Sequence, residues 1–225
     1  MLSTSGHDAF TYYIATILVI LPAIGFHEYA HAKLADLAGD PTPRQQGRVT
    51  LNLFKHLDPL GTFMIIVTSL TGFGIGWGRP VMVDPCKMHN PRWDHFWSVA
   101  AGPISNLLQA AAYALIWRVL LHSGSFQDSH FLTTVIFLGV MINLALCFFN
   151  LIPIGPLDGH WLVGAFLKDK QRLAWYRWNA MAGGFFLIAF ILMGQVDPSM
   201  NFLGRILEPF VSKTAMFLLG VRSLP

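Results

Sequence analysis

Residues 10–37 read FTYYIATILVILPAIGFHEYAHAKLADL. The stretch is almost wholly apolar up to Phe26, long enough to cross a bilayer, which takes about 20 apolar residues as a helix. It then turns polar at His27. Working outward, the rest of the chain has the same character. Charged residues make up 12% of the 225, about half the ~25% of a soluble domain. Hydrophobic residues make up 54%, with eighteen Phe and seven Trp. There is too little polar material to clothe a soluble fold. These figures exclude a disordered chain and a disulfide-rich secreted module, and a net charge of +3 gives no reason to expect a nucleic acid or other polyanionic partner. The expected fold is an all-α polytopic membrane protein, one membrane-embedded domain over residues 1–225.

Further apolar runs cover about Phe96 to Leu121, Phe131 to Ile154 and Trp178 to Met193. Two more are ambiguous. Leu60 to Ile75 is short and ends among Gly72, Gly74 and Gly76, while Phe202 to Val221 is interrupted by Arg205, Glu208 and Pro209. The expectation is therefore five to six transmembrane helices. Short loops rich in Lys and Arg stay in the cytoplasm. Lys33, Arg44, Arg48, Lys55, Arg79, Lys87 and Arg92 fall between the first span and Phe96, and Lys168, Lys170, Arg172 and Arg177 follow the fourth run. Residues 1–10 and the His122 to His130 loop have none. The N-terminus is then expected outside, with residues 60–75 re-entering rather than crossing; a full crossing is the alternative. Val49 and Leu51 alternate with polar neighbours, so Gly47 to Leu53 reads as a short strand with an open edge. The re-entrant and β segment together cover about residues 47–75, near the cytoplasmic face. The N-terminus lacks a basic n-region, so no removed signal peptide is expected. Cys86 and Cys147 are far apart and are expected to be unpaired.

With charge so scarce, ionisable groups inside apolar helices carry the information. His27, Glu28 and His31 form HEYAH. Positions i and i+4 share a helix face, so two imidazoles can hold one zinc while the adjacent glutamate is placed to act on a water there. A catalytic zinc needs a third protein ligand. Asp158, in NLIPIGPLDGH (Asn150 to His160), is the best candidate, although an Asp there can equally be a helix N-cap. His160, His56 and Asp58 are weaker ones.

Together the two runs resemble the site-2 protease family of intramembrane zinc metalloproteases, whose pattern is HExxH on one transmembrane helix and NxxPxxxLDG at the end of a later one. HEYAH matches the first; Asn150, Pro153, Leu157, Asp158 and Gly159 match the second; and Ala101-Gly102-Pro103-Ile104-Ser105-Asn106 is similar to the family's AGPxxN. The runs Gly47 to Thr62 and His89 to Asp94 look like the compact bacterial and archaeal branch, without PDZ or CBS modules. The resemblance spans about residues 14–167, and the protease core is placed at about 10–167 with C-terminal helices over 177–225. His160-Trp161 after LDG and Leu53 after TLN depart from the pattern without touching a ligand position.

The resemblance implies one Zn²⁺ held by His27, His31 and Asp158, with Glu28 as general base and Asn150 as a donor to the oxyanion; His56 is a second, less favoured donor. Gly102 and Pro103 read as close helix packing, and Asn106 as an interhelical hydrogen bond. The tryptophans read as an interfacial belt and receive no substrate role. The implied reaction is cleavage of a transmembrane segment in a single-span membrane protein, within the lipid bilayer of the cell membrane, from an active site on the cytoplasmic side. Two other functions use the same residues: a zinc transporter, and an inactive homologue acting as a membrane chaperone. Oligomeric state and substrate identity leave no mark in the sequence.

Overall fold

The computed structural model describes residues 6–71, 76–123 and 130–224. Helix α1 (Gly6–Leu37) rises about 48 Å at 1.5 Å per residue, well beyond a ~30 Å hydrocarbon layer, so its polar C-terminal turns can emerge from the apolar zone. After a short α2 (Thr42–Gln45) and a 3₁₀ turn at Leu53–Lys55 comes α3 (Pro59–Thr71). The long helices α4 (Trp93–Ser123) and α5 (His130–Asn150) form an antiparallel pair against α1. Then follow α6 (Asp158–Phe166), α7 (Asp169–Trp178), a π-helical turn at Asn179–Gly183, α8 (Gly184–Val196) and α9 (Phe202–Leu219).

Small side chains let the helices approach. Ala15 and Val19 of α1 meet Leu138 of α5, and Ala110 and Ala114 of α4 pack with Val140 and Leu144 of α5 and Ala215 of α9. Lipid tails offer no hydrophobic drive between helices, so close packing and interhelical hydrogen bonds must hold them. One amide supplies three such bonds. Asn106 on α4, fully buried, donates to the Ala23 carbonyl of α1 at 3.1 Å and to Asn143 Oδ1 of α5 at 3.0 Å, and its own oxygen faces His27. At the far end of α4, Arg118 donates to the Phe217 carbonyl at 2.7 Å, beside the left-handed Gly220 that ends α9.

The outer surface is apolar: Met181 is 86% exposed, Phe217 77% and Phe185 72%. Helices α1, α4, α5 and the continuous α7–α8 unit are each long and apolar enough to span. Spanning helices satisfy their own backbone, and an apolar exterior of this extent needs a bilayer around it. This is a multi-pass membrane protein. The sequence reading of five to six helices also counts α9, which carries Arg205, Glu208 and Lys213, and at its upper end residues 60–75. Helix α3, 13 residues and about 20 Å long, is too short to cross.

The expected strand at 47–53 is not there. Gly47 takes a left-handed φ of 66°, Arg48 N–H closes a turn onto the Pro43 carbonyl at 2.8 Å, and Asn52 caps the next 3₁₀ turn. The N–H groups of Gly47, Arg48 and Asn52 and the Thr50 carbonyl are engaged locally. Among the described residues the sole β-pairing is an isolated antiparallel bridge between Leu57 and Gly78. Gly72 and Gly74 of the expected re-entrant run lie outside the described residues, as does most of the His122 to His130 loop.

From Gly76 to Met88 the chain runs as a strap without regular structure apart from a 3₁₀ turn at Pro85–Lys87. The strap is tied down at both ends. Arg79 N–H donates to the His56 carbonyl at 2.9 Å, and Asp84 N–H to the buried Asp40 carboxylate at 2.7 Å.

Candidate metal centre

His27 and His31 lie one turn apart on α1, and both are buried. Their Nδ1 atoms are engaged: His27 with Asn106 Oδ1 at 2.6 Å, His31 with the Ser98 carbonyl of α4 at 2.8 Å. Both partners are acceptors, so each ring carries its proton on Nδ1 and presents the Nε2 lone pair. The orienting carbonyls are what a metal-binding histidine needs behind it. The two Nε2 atoms are 3.0 Å apart, and Asp158 Oδ2 sits 3.2 Å from one and 3.5 Å from the other. That oxygen is buried with no donor. Three lone-pair atoms thus converge with nothing positive between them, an arrangement that repels itself unless a cation fills it. A tetrahedral ion with bonds of about 2.1 Å sets its ligands about 3.4 Å apart, so the residues fit zinc.

The neighbours leave no slack. A Cβ on Gly102 of α4 would lie 2.4 Å from the His31 ring and 2.7 Å from that of His27; this glycine packs against the imidazoles themselves. Asp158 opens α6, whose C-terminal end is held by Arg92, which donates to the carbonyls of Ala165 at 2.6 Å and Leu167 at 3.2 Å. The turn before Asp158 is held by Asn179 in the π-helical turn, which accepts from Gly155 N–H at 2.7 Å.

Glu28 lies on the wall of the same cavity, about 320 Å³, with Asn150, Asp158 and the strap residues Pro80 to Val83. Val81 N–H donates to Glu28 Oε2 at 3.1 Å.

Comparison with known proteins settles the family. The model of peptidase family M50 matches residues 117–193. A protein of Bacillus subtilis (strain 168) named "Putative zinc metalloprotease YwhC" is 35% identical over 193 residues, 82% of this chain and 85% of that one. The chain belongs to peptidase family M50. The M50 chain is also 28% identical over 190 residues, 82% of its length and 69% of the relative's, to "Putative zinc metalloprotease Rip2" of Mycolicibacterium smegmatis (strain ATCC 700084 / mc(2)155). No solved structure matches it. As a member of the site-2 protease family it is a membrane zinc metalloprotease.

The remaining sequence candidates fall elsewhere in this M50 fold. Asp58 caps α3 by accepting from Gly61 N–H at 2.8 Å. His56 is fully buried and its Nε2 donates to the Thr50 carbonyl at 2.9 Å; it does not line the cavity. His160 is buried with Nδ1 on the Leu157 carbonyl. Asn150 does line the cavity, with its amide donating to the Leu146 carbonyl at 3.0 Å. Asn106 makes the interhelical bonds expected of it. Sequence reasoning missed Asn143, although an amide in the apolar run 131–149 is visible by the rule that found Asn106. It also passed over His95 and Trp161, both on the cavity wall, the latter assigned to the interfacial belt. The Ser98 carbonyl is backbone and has no sequence signal.

Proposed function

We propose that this M50 peptidase is a zinc-dependent intramembrane endopeptidase that cuts a transmembrane segment of a single-span membrane protein within the lipid bilayer. His27, His31 and Asp158 hold the ion in this reading. Bound zinc supplies Lewis acidity, drawing the pKa of a coordinated water toward neutrality and polarising the scissile carbonyl. Glu28 is the general base: it takes the proton of the attacking water on its carboxylate and passes it to the leaving amine. Asn150 is the oxyanion donor. An amide has two N–H groups; one is engaged with Leu146 and the second is available to an oxygen in the cavity. The observation that carries the reading is the glutamate's place beside the three converged acceptors, on one cavity wall. A transporter has no need of an unliganded carboxylate there.

The centre lies toward the C-terminal end of α1, the N-terminal end of α4 and the C-terminal end of α5. Arg44, Arg48, Lys55, Arg79, Lys87 and Arg92, between α1 and α4, and Lys168 and Lys170, where α6 gives way to α7, lie at that same end. The positive-inside rule then orients the chain with its N-terminus outside the cell membrane and the active site toward the cytoplasm. Residues 1–225 act as one domain, with the chemistry carried by about 10–167 and the helices of 177–225 packed beside it.

The test is cleavage of a panel of single-span model substrates by purified protein. Cleavage should stop with a zinc chelator and return with zinc. Glu28→Gln should lower the rate by about 10²–10⁴-fold while one zinc per chain is retained. Chelator-insensitive cleavage, or a Glu28→Gln protein that cuts normally, overturns the proposal.

A further inference from the structure

The Lys and Arg residues between α1 and α4 serve first as orientation signals, yet one of them is not at a surface. Arg48 is 3% exposed. Burying a guanidinium is costly unless its donors are met. Here the two Nη groups reach two separate pieces of chain, one donating to the Lys55 carbonyl and the other to the Arg79 carbonyl of the strap, while Nε is buried without a partner. On the same peptide pair, Arg79 N–H donates to the His56 carbonyl at 2.9 Å, and the Leu57–Gly78 bridge lies alongside. Two residues further on, Val81 N–H meets Glu28 Oε2 at 3.1 Å. Only Pro80 separates residues 79 and 81, and its ring fixes φ, so holding residue 79 restricts where the amide of residue 81 can lie. Burial lowers the Arg48 pKa, and the Glu28 charge opposes that shift. The arginine therefore acts toward the glutamate both through the strap and directly through its field.

We infer that Arg48 is a positioning residue for the general base, holding the strap so that the Val81 amide fixes the Glu28 carboxylate toward the metal cavity. The inference rests on the role proposed above for Glu28. Among the described residues the Nδ1 hydrogen-bond partners of His27 and His31 lie on α4 and not on the strap, so the clasp orients the base without building the zinc site. A bidentate guanidinium can bridge two carbonyls in a fixed plane, whereas an ammonium cannot reproduce that fork. Displacing a catalytic group by about 1 Å can cost roughly 10²-fold in rate.

The experiment compares Arg48→Lys, Arg48→Met, Val81→Pro, the double variant Arg48→Lys/Val81→Pro and Glu28→Gln, cleaving one single-span model substrate in detergent. Val81→Pro removes the N–H that meets Glu28 and leaves Arg48 and its two carbonyl partners in place. Expected are one zinc per chain in every variant and KM within about twofold. The kcat should fall about 10–100-fold for Arg48→Met and Val81→Pro, and less for Arg48→Lys. The double variant should be no worse than Val81→Pro alone, because both changes break one clasp. Additive losses, a change confined to KM, or loss of zinc on replacing Arg48 would each overturn the inference. Should Arg48→Met fail to fold, the Lys variant and the double variant still decide. Normal rates in both Arg48 variants beside a dead Glu28→Gln sink the clasp and leave the protease reading standing; a Glu28→Gln that cuts normally sinks the reading beneath both.

Discussion

The histidine half and the glutamate half of the centre share five residues of one helix and are supported in opposite ways. His27 and His31 are held by other helices: Asn106, Ser98 and Gly102 all belong to α4. Glu28, between them, faces a strap without regular structure, which is fastened by Arg48, His56 and Asp40. One half is rigid through packing, the other through hydrogen bonds to a loop. Converging ligand atoms need fixed distances, which helices supply; Glu28 takes its neighbour, the Val81 amide, from outside the bundle.

The sharpest way to break that contrast is Gly102→Ala. The added Cβ lands on both imidazoles, so zinc content should fall well below one per chain and cleavage to background, read by metal analysis of the purified protein. Gly184→Ala, where a Cβ has nothing within 4 Å, should leave both unchanged. A milder probe is Asn106→Leu, similar in size but unable to accept from His27. Zinc affinity should drop about 10–100-fold in chelator competition; unchanged affinity would show that α4 does not orient the ligand.

The smallest effect belongs to the loop half. Asp40 is fully buried. Burial raises its carboxyl pKa, but hydrogen bonds from Thr42 and Asp84 outweigh that and hold it below the usual range. A depressed folded pKa gives stability that is present above the unfolded value near 4 and is lost as pH falls through the folded one. Asp40→Asn should therefore lower the Tm at pH 7, costing roughly 1–2 kcal/mol, with the gap to wild type closing below about pH 4 and zinc retained throughout. A pH-independent gap would mean that the carboxylate's charge does not matter to the strap.

These two halves were also unequally legible. HEYAH, Asp158 and Asn106 stand out because polar groups in apolar helices are few and expensive, and the structure brings all of them to one point. The membrane class and the long helices follow from composition and run length alone. The loop half hid itself for physical reasons. Alternation at 47–53 imitates a strand, but the left-handed Gly47 and the turns on either side of the run bend it away from one. Arg48 looked like any cytoplasmic charge, since nothing local announces that a side chain turns inward. Ahead of its local turn at Pro85–Lys87 the strap is held by partners distant in sequence, so neither periodicity nor turn chemistry marks that part of it. Trp161 was grouped with the membrane-interface aromatics because a tryptophan near a span end fits that role equally well.

Asn106 has a consequence for how the bundle assembles. Apolar helices in lipid gain little from one register over the next, since leucine against leucine is much like leucine against a tail. A slip of α4 by one turn, about 5.4 Å, would strip His27, Ala23 and Asn143 of their shared partner in a single move and draw Gly102 off the imidazoles. The residue that seats the ligand is thus also the key that admits only one alignment of three helices. Misaligned chains would be proofread by the same amide, because a bundle in the wrong register has no place to hold the ion.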